Sequence, residues 1–382
     1  MIPASISDYR ELARRRLPRM LFDYIDGGSY AEVTLRRNVA DFEAVALRQR
    51  VMRDMSELDT SVQVLGRTWS MPVGLAPVGL AGMYARRGEV QAARAARAAG
   101  VPFALSAVGV CDVDEVAAAA GEPPWFQLYM IKDRGYLREL LQRARAAGAP
   151  ALLFTVDLPT PGSRYGDVRS GLASPAGLGR ALQYAWQVAR RPGWLGDVWL
   201  GGRPHALGSM SAAIPEARGL SDFWGWVGRN FDPSVTWADI DWVREVWDGP
   251  IVIKGVLDPD DAREAVRVGA DGVVVSNHGG RQLDGVRSSI SALPRIVEAS
   301  DGRLEVFLDG GVRSGLDVLK ALALGAKACF VGRPWAFSLA AGGQPMVSRM
   351  LETLRGELRT AMVLTGCNSV ARADRTLIDA AI

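Results

Sequence analysis

Short runs rich in β-branched and apolar residues recur along the chain, each bounded by Gly, Pro or Asp. They fall at 72–77 (PVGLAP), 102–106 (PFALS), 125–129 (WFQLY), 151–157 (ALLFTVD), 250–255 (PIVIKG), 272–280 (GVVVSNHGG), 306–311 (VFLDGG) and 328–333 (ACFVGR). These are eight candidate strands, and several are apolar almost without interruption, as parallel strands covered on both faces should be. Between them the period changes to that of a helix. Examples are Glu89–Ala99, Val113–Ala120, Arg134–Ala147, Asp258–Val268 and Gly315–Leu324, the last with Leu316, Leu319 and Ala323 on one face and Gly325 as a stop. The GAP, GAD and GAK turns at 148–150, 269–271 and 325–327 each lead into a strand, as short αβ loops do. Eight β/α units predict an α/β fold, a TIM (β/α)8 barrel rather than an open sheet.

One stretch breaks the rhythm. Between Asp157 and Ile251 only Trp237–Trp247 reads as an evident helix, leaving about 166–235 as an insertion that holds five of the eleven tryptophans. An insertion after the fourth strand lies on the C-terminal face of a barrel, where active sites form. Residues 1–50 precede the first strand and are expected to be helices covering the barrel, so 1–382 reads as one barrel domain.

Composition narrows the class. A chain of 382 residues that is 48% hydrophobic can bury a large core, and a net charge of +3 from 45 basic and 42 acidic residues gives no reason to expect a nucleic-acid partner. Three widely spaced cysteines, Cys111, Cys329 and Cys367, do not suit a disulfide framework or a zinc site. No signal peptide is apparent at the start, and no run approaches the ~18–20 apolar residues that span a bilayer.

In this fold, functional side chains should cluster where strands end. The third run ends in Gln127 and Tyr129, and the fourth in Thr155 and Asp157 with Arg164 beyond. The fifth ends in Lys254, and the sixth continues into Asn277, His278 and Arg281. The seventh ends in Asp309-Gly310-Gly311 with Arg313 next, and the eighth in Gly332-Arg333. These last two groups suit a phosphate, since glycines let backbone N–H groups approach and a guanidinium binds oxygens in pairs. Taken singly, each is equally explained as turn chemistry. Of the two histidines, His205 in GGRPHALG reads as incidental, whereas His278 near Asp157 suits a general base. Arg164 and Arg281 either grip a substrate carboxylate or are solvated surface residues. Lys254 follows three apolar residues, and a buried ammonium implies an anionic partner. With no GxGxxG after a strand, no P-loop and no HExxH, a phosphate-bearing redox group in a barrel points to FMN rather than NAD.

SNHGGRQLDG at 276–285 and LDGGVRSG at 308–315 resemble the FMN-dependent 2-hydroxy-acid dehydrogenases and oxidases. FDYIDGG at 22–28, MPVGLAPVGL at 71–80, WFQLY and FTVD extend the likeness over nearly the whole chain. The segments 8–38 and 82–93 are most similar to the membrane-associated bacterial L-lactate dehydrogenases. The resemblance implies that Tyr24, Tyr129, Arg164 and Arg281 hold the substrate. It implies that His278 takes its proton with Asp157 behind, and that Lys254 stabilises the reduced flavin. Ser106, Gln127, Thr155 and the Ala76-Pro77-Val78 backbone would contact the flavin ring. Ser276, Asp309, Gly310, Gly311, Arg313, Gly332 and Arg333 would complete the cofactor site.

The resemblance further implies oxidation of L-lactate or a similar small 2-hydroxy acid, transfer of electrons to a quinone, and a tetramer. It places the protein peripherally on the cytoplasmic face of the inner membrane. No haem domain is expected ahead of residue 1. Val108 stands where glycolate oxidase carries tryptophan, so glycolate is disfavoured. An aryl acid such as mandelate, an oxygen-using oxidase and a non-redox FMN isomerase are the alternatives. Residues 178–200, with Leu178, Leu182, Trp186, Trp194 and Trp199 beside Arg180, Arg190 and Arg191, suit either a membrane-interface segment or an active-site lid.

Overall fold

The computed structural model describes residues 2–173, 177–203, 205, 208–210, 226 and 228–379. A small antiparallel hairpin, β1 (Val62–Val64) and β2 (Arg67–Trp69), precedes the barrel. The barrel strands are β3 (Val73–Leu75), β4 (Ala104–Ser106), β5 (Trp125–Tyr129), β6 (Leu152–Thr155), β7 (Ile251–Val256), β8 (Gly272–Val275), β9 (Glu305–Leu308) and β10 (Ala328–Val331). All eight are parallel in the order β3-β10-β9-β8-β7-β6-β5-β4, and a Leu75–Phe103 bridge closes the ring. This is a TIM barrel, with each apolar run at the position its pattern predicts.

Two boundaries differ from the sequence reading. Lys254 is inside β7 rather than at its end, because the strand runs on to Val256 through an irregularity at Gly255. Residues 276–280 lie beyond β8 in a loop.

Alternation along the strands builds the interior in layers. Val64, Trp69, Trp125, Leu153, Val252, Val274, Phe307 and Phe330 belong to one buried cluster at the N-terminal end. There the aromatic rings meet mostly edge to face, Trp69–Trp125 at 5.6 Å and Phe307–Phe330 at 5.7 Å between centroids. Two residues further along the chain come Gln127, Thr155 and Lys254 within their strands and Ser276 and Asp309 just past the ends of β8 and β9, all buried and all polar. The barrel is thus plugged by aromatics below and lined with hydrogen-bonding groups above.

Helices Ile6–Arg16, Arg19–Asp26 and Val33–Ala44 precede the barrel as expected. The outer helix Gly315–Ala323 buries Val318, Leu319, Ala321, Leu322 and Ala323, so Leu319 and Ala323 of the expected face are in the core and only Leu316, in the first turn, is exposed. A 22-residue helix, Gln344–Thr365, packs across the helices Gly315–Ala323 and Gly88–Ala99.

The described part of the insertion holds more helix than its composition suggested. Tyr165–Arg169 is followed by Leu178–Ala189 and by the turns Pro192–Trp194 and Leu195–Leu200. Gln187 fastens the longer helix, accepting from the Met20 amide (2.8 Å) and donating to the Ser170 carbonyl (3.0 Å). Trp194 is fully buried and donates its indole N–H to the Met83 carbonyl at 2.8 Å. It is therefore an anchor to the barrel and no part of an exposed apolar face. The expected helix Trp237–Trp247 is present as Asp239–Val246.

Candidate active site

The polar layer opens into one pocket at the C-terminal end of the barrel, enclosing about 1050 Å³ with its open mouth included. Tyr24, Tyr129, Arg164, Lys254, His278 and Arg281 all line it, together with Ala76, Pro77, Val78, Asp309, Gly310, Gly311, Arg313, Gly332 and Arg333. Ser106, Gln127 and Thr155 lie outside its lining and form a chain across three strand ends. The Ser106 hydroxyl donates to Gln127 Oε1 (3.0 Å), and Gln127 Nε2 donates to Thr155 Oγ1 (3.1 Å).

His278 Nδ1 is 2.8 Å from Asp157 Oδ1. A carboxylate there makes Nδ1 the donor and leaves the lone pair on Nε2. Two local features allow this approach. His278 has φ +56°, a left-handed conformation rare outside glycine, and its amide donates to Ser276 Oγ at 3.1 Å. Gly255 has φ +114°, and a Cβ there would stand 2.6 Å from the Asp157 Cβ. Burial pushes the His278 imidazole below its ordinary value, and Asp157 opposes that only in part. For Asp157 burial acts upward, but the neighbouring His278 and Lys254 hold it below the ordinary carboxylate value. The pair is therefore a neutral imidazole against a carboxylate near pH 7. Asp157 Oδ2 has no hydrogen-bond partner.

The anionic partner that Lys254 requires is Asp309, with Nζ 3.0 Å from Oδ2, and Nζ also donates to Ser276 Oγ at 3.0 Å. Burial disfavours the ammonium, yet Asp309 and Asp157 more than offset it, so its value is raised.

Among the described residues, five cations, Arg164, Lys254, Arg281, Arg313 and Arg333, line this pocket together with one carboxylate, Asp309. Arg281 stacks over the Tyr24 ring at 4.7 Å and Arg164 at 5.7 Å. Arg164 reaches Asp167 only at 3.8 Å. Arg333 donates to the carbonyls of Ile25 (2.9 Å), Gly27 (2.8 Å) and Gly279 (2.8 Å). Burial, then repulsion from Arg281, lowers the Arg164 value, and burial alone brings Arg313 down to about 10. Desolvated guanidiniums held this close are stabilised by anions.

The donor set fits FMN. Gly310 and Gly311 have φ +85° and +100°, backbone conformations that favour glycine, and Arg313 lines the pocket beside them. Asp309 Oδ1 is buried without a partner, an acceptor suited to a sugar-alcohol hydroxyl.

Among the lining residues that sequence reasoning missed are Tyr84, Leu158 and Phe231. Phe231 comes from the far end of the insertion and packs on Tyr129, 5.2 Å between ring centroids. No local pattern marks it, because only a tertiary bridge between Ile131 and Phe231 brings it in.

A barrel whose upper layer joins a base pair to an anion-binding cradle defines a flavin-dependent oxidoreductase. The chain belongs to the FMN-dependent dehydrogenase family, whose profile matches residues 13–380. It is 57% identical over 378 residues to an L-lactate dehydrogenase of Caulobacter vibrioides, covering 99% of this chain and 98% of that one. It is 59% identical over 372 residues to an L-lactate dehydrogenase of Xanthomonas euvesicatoria, covering 97% and 95%. Among solved structures, a monotopic membrane (S)-mandelate dehydrogenase superposes with a TM-score of 0.92 at 30% identity over 99% of this chain and 100% of that one. A mandelate oxidase with (S)-4-hydroxymandelic acid superposes with a TM-score of 0.85 at 40% identity, covering 99% and 98%.

Proposed function

We propose that the protein oxidises L-lactate, or an L-2-hydroxy acid of similar size, to the 2-keto acid. The observation that carries this reading is the His278–Asp157 pair facing the same pocket as Arg164 and Arg281. The two arginines and the hydroxyls of Tyr24 and Tyr129 bind and orient the carboxylate and hydroxyl of the acid. His278 Nε2 takes a proton from the substrate, and Asp157 stabilises the resulting imidazolium. Bound FMN supplies the two-electron acceptor. Asp309, Gly310, Gly311, Arg313, Gly332 and Arg333 would hold its ribityl and phosphate, Ala76, Pro77 and Val78 would face the ring, and the buried polar groups of Ser106, Gln127, Thr155 and Ser276 would complete the ring's site from behind that lining. Lys254 contributes a fixed positive charge beside it.

Lactate rather than mandelate is favoured by the names of the relatives at 57–59% identity, against mandelate enzymes at 30–40%. Anaerobic mixing of the yellow protein with L-lactate, L-mandelate and glycolate in turn tests it. Lactate should bleach the flavin fastest, and failure of lactate to do so would refute the assignment.

The acceptor in this reading is a membrane quinone. No helix among the described residues is long and apolar enough to cross a membrane. Leu178, Leu182 and Trp186 are 78%, 63% and 62% exposed along one helix, with Leu200 exposed nearby and Arg190 stacked on Trp186 at 4.5 Å. Such a face suits peripheral attachment at the cytoplasmic side of the inner membrane. The neighbouring dehydrogenase's description as monotopic supports the same conclusion. Because Gln187, Trp194 and Val198 are packed, the test replaces only Leu178, Leu182 and Trp186 by serine. That variant should leave anionic vesicles while lactate still bleaches the flavin, and unchanged partitioning would reject the attachment. We further propose a homotetramer, which light scattering of the holoenzyme checks.

A further inference from the structure

We infer that Phe231, carried into the pocket by the stem through which the insertion rejoins the barrel, sets the size of side chain the substrate can carry. This inference rests on the 2-hydroxy-acid reading. A 2-hydroxy acid presents four groups at C2. The carboxylate and hydroxyl are matched by Arg164, Arg281 and the tyrosines, and the proton that the acid gives up by His278. The remaining substituent needs an apolar wall, which the lining supplies as Val108, Leu158 and Phe231. Phe231 is much the largest of these and is 5% exposed. It is stacked in series with Tyr129 and His278, whose ring centroids are 6.5 Å apart.

The stem leaves Phe231 little freedom to withdraw. The Lys132 amide donates to the Asn230 carbonyl (2.9 Å) and the Asp232 amide to the Met130 carbonyl (3.1 Å), so both neighbours of Phe231 are pinned to the chain leaving β5. Arg134 Nη2 then grips Asp232 Oδ2 at 2.6 Å and Asp239 Oδ1 at 3.2 Å. Asp232 Oδ1 in turn accepts from the Ser234 amide (2.9 Å) and hydroxyl (2.6 Å). A well-held aromatic wall discriminates by volume, because an oversized substituent must displace packed atoms. The volume removed in Phe231→Ala is one phenyl ring, the same group that distinguishes mandelate from lactate. Arg134 and Asp232 touch no reacting group and are positioning residues.

The test measures kcat/KM of the holoenzyme for L-lactate and L-mandelate, with anaerobic flavin reduction as a check on the chemical step. Phe231→Ala should raise the mandelate-to-lactate ratio by about 10–100-fold, the range a hydrophobic pocket change commands, with FMN retention unchanged. Phe231→Leu, the milder variant should the alanine protein not fold, should move the ratio the same way by less. Asp232→Asn should raise KM for lactate more than it lowers kcat and should move the ratio upward. A ratio within about twofold of wild type in a folded Phe231 variant that lactate still reduces would overturn this inference alone. A wild-type flavin that no 2-hydroxy acid bleaches would instead overturn the underlying reading.

Discussion

Replacing Asp157 by Asn separates the two tasks assigned to that carboxylate. The bond it makes to His278 Nδ1 is 2.8 Å long and partly buried. As the reaction proceeds the imidazole acquires charge, so the bond becomes one between ions, worth about 1.5–3 kcal/mol. At ~1.4 kcal/mol per tenfold in rate, its loss should slow flavin reduction by lactate roughly 10–150-fold. An asparagine amide can also donate to Nδ1, which would place the ring proton on Nε2 and block the base, moving the effect to the upper end. The pH dependence has a definite sign. Reduction needs neutral His278, so the rate falls as acid protonates it, with a midpoint below the ordinary histidine value because burial dominates. Asp157 raises that value, so the variant's midpoint should lie lower still, even as its plateau drops. Stopped-flow reduction under anaerobic conditions across pH 4.5–8 reads both quantities. A plateau within threefold of wild type, or a midpoint shifted upward, would refute the coupling of Asp157 to the base.

Three further outcomes follow from the same geometry. His278→Gln should retain FMN but reduce it ~10²–10⁴-fold more slowly, the usual worth of a positioned base, and near-normal reduction by lactate would reject the assignment. Arg281→Lys keeps the charge but loses the planar fork stacked on Tyr24; KM for lactate should rise and the reduction rate fall with no release of FMN, whereas FMN loss alone would move Arg281 to the cofactor site. Trp194→Ala removes a buried ring and its bond to Met83, at a cost of about 3–5 kcal/mol; a thermal melt unchanged within a degree would mean that the anchor contributes nothing.

The barrel was legible because its signal is local and repeated. Each strand is a short apolar run between turn residues, and the polar residue two places after an inward-facing aromatic or aliphatic one marks where the barrel interior turns polar toward the mouth. Trp125 and Gln127, Leu153 and Thr155, and Phe307 and Asp309 are visible in the sequence as such pairs. The hairpin β1–β2 went unread for the converse reason. Its two-residue turn is Leu65-Gly66, both at positive φ (45° and 76°), where Asn-Gly or Asp-Gly would have announced it. The left-handed Leu65 is tolerated because its amide is held by the Glu305 carboxylate at 3.1 Å, a contact 240 residues away in sequence.

Composition misleads most where burial is decided by a distant partner. Trp186 and Trp194 lie eight residues apart in the insertion with arginines beside both, and nothing local separates them. Trp194 is buried with its N–H on the Met83 carbonyl, while Trp186 is 62% exposed with Arg190 across its face. This difference changes what the insertion does. Met83 adjoins Tyr84, which lines the pocket and donates to the Gly79 carbonyl at 2.9 Å, so Trp194 braces one wall of the site. Phe231, near the C-terminal end of the insertion, packs against Tyr129 in the same pocket. The insertion that carries the exposed apolar helix is therefore tied to two parts of the pocket wall, both on the C-terminal side of that helix. A change in how that helix is held should register first in KM, through these two walls, and least in the His278–Asp157 pair, which belongs to β6 and the loop after β8 and bonds to no residue of the described insertion.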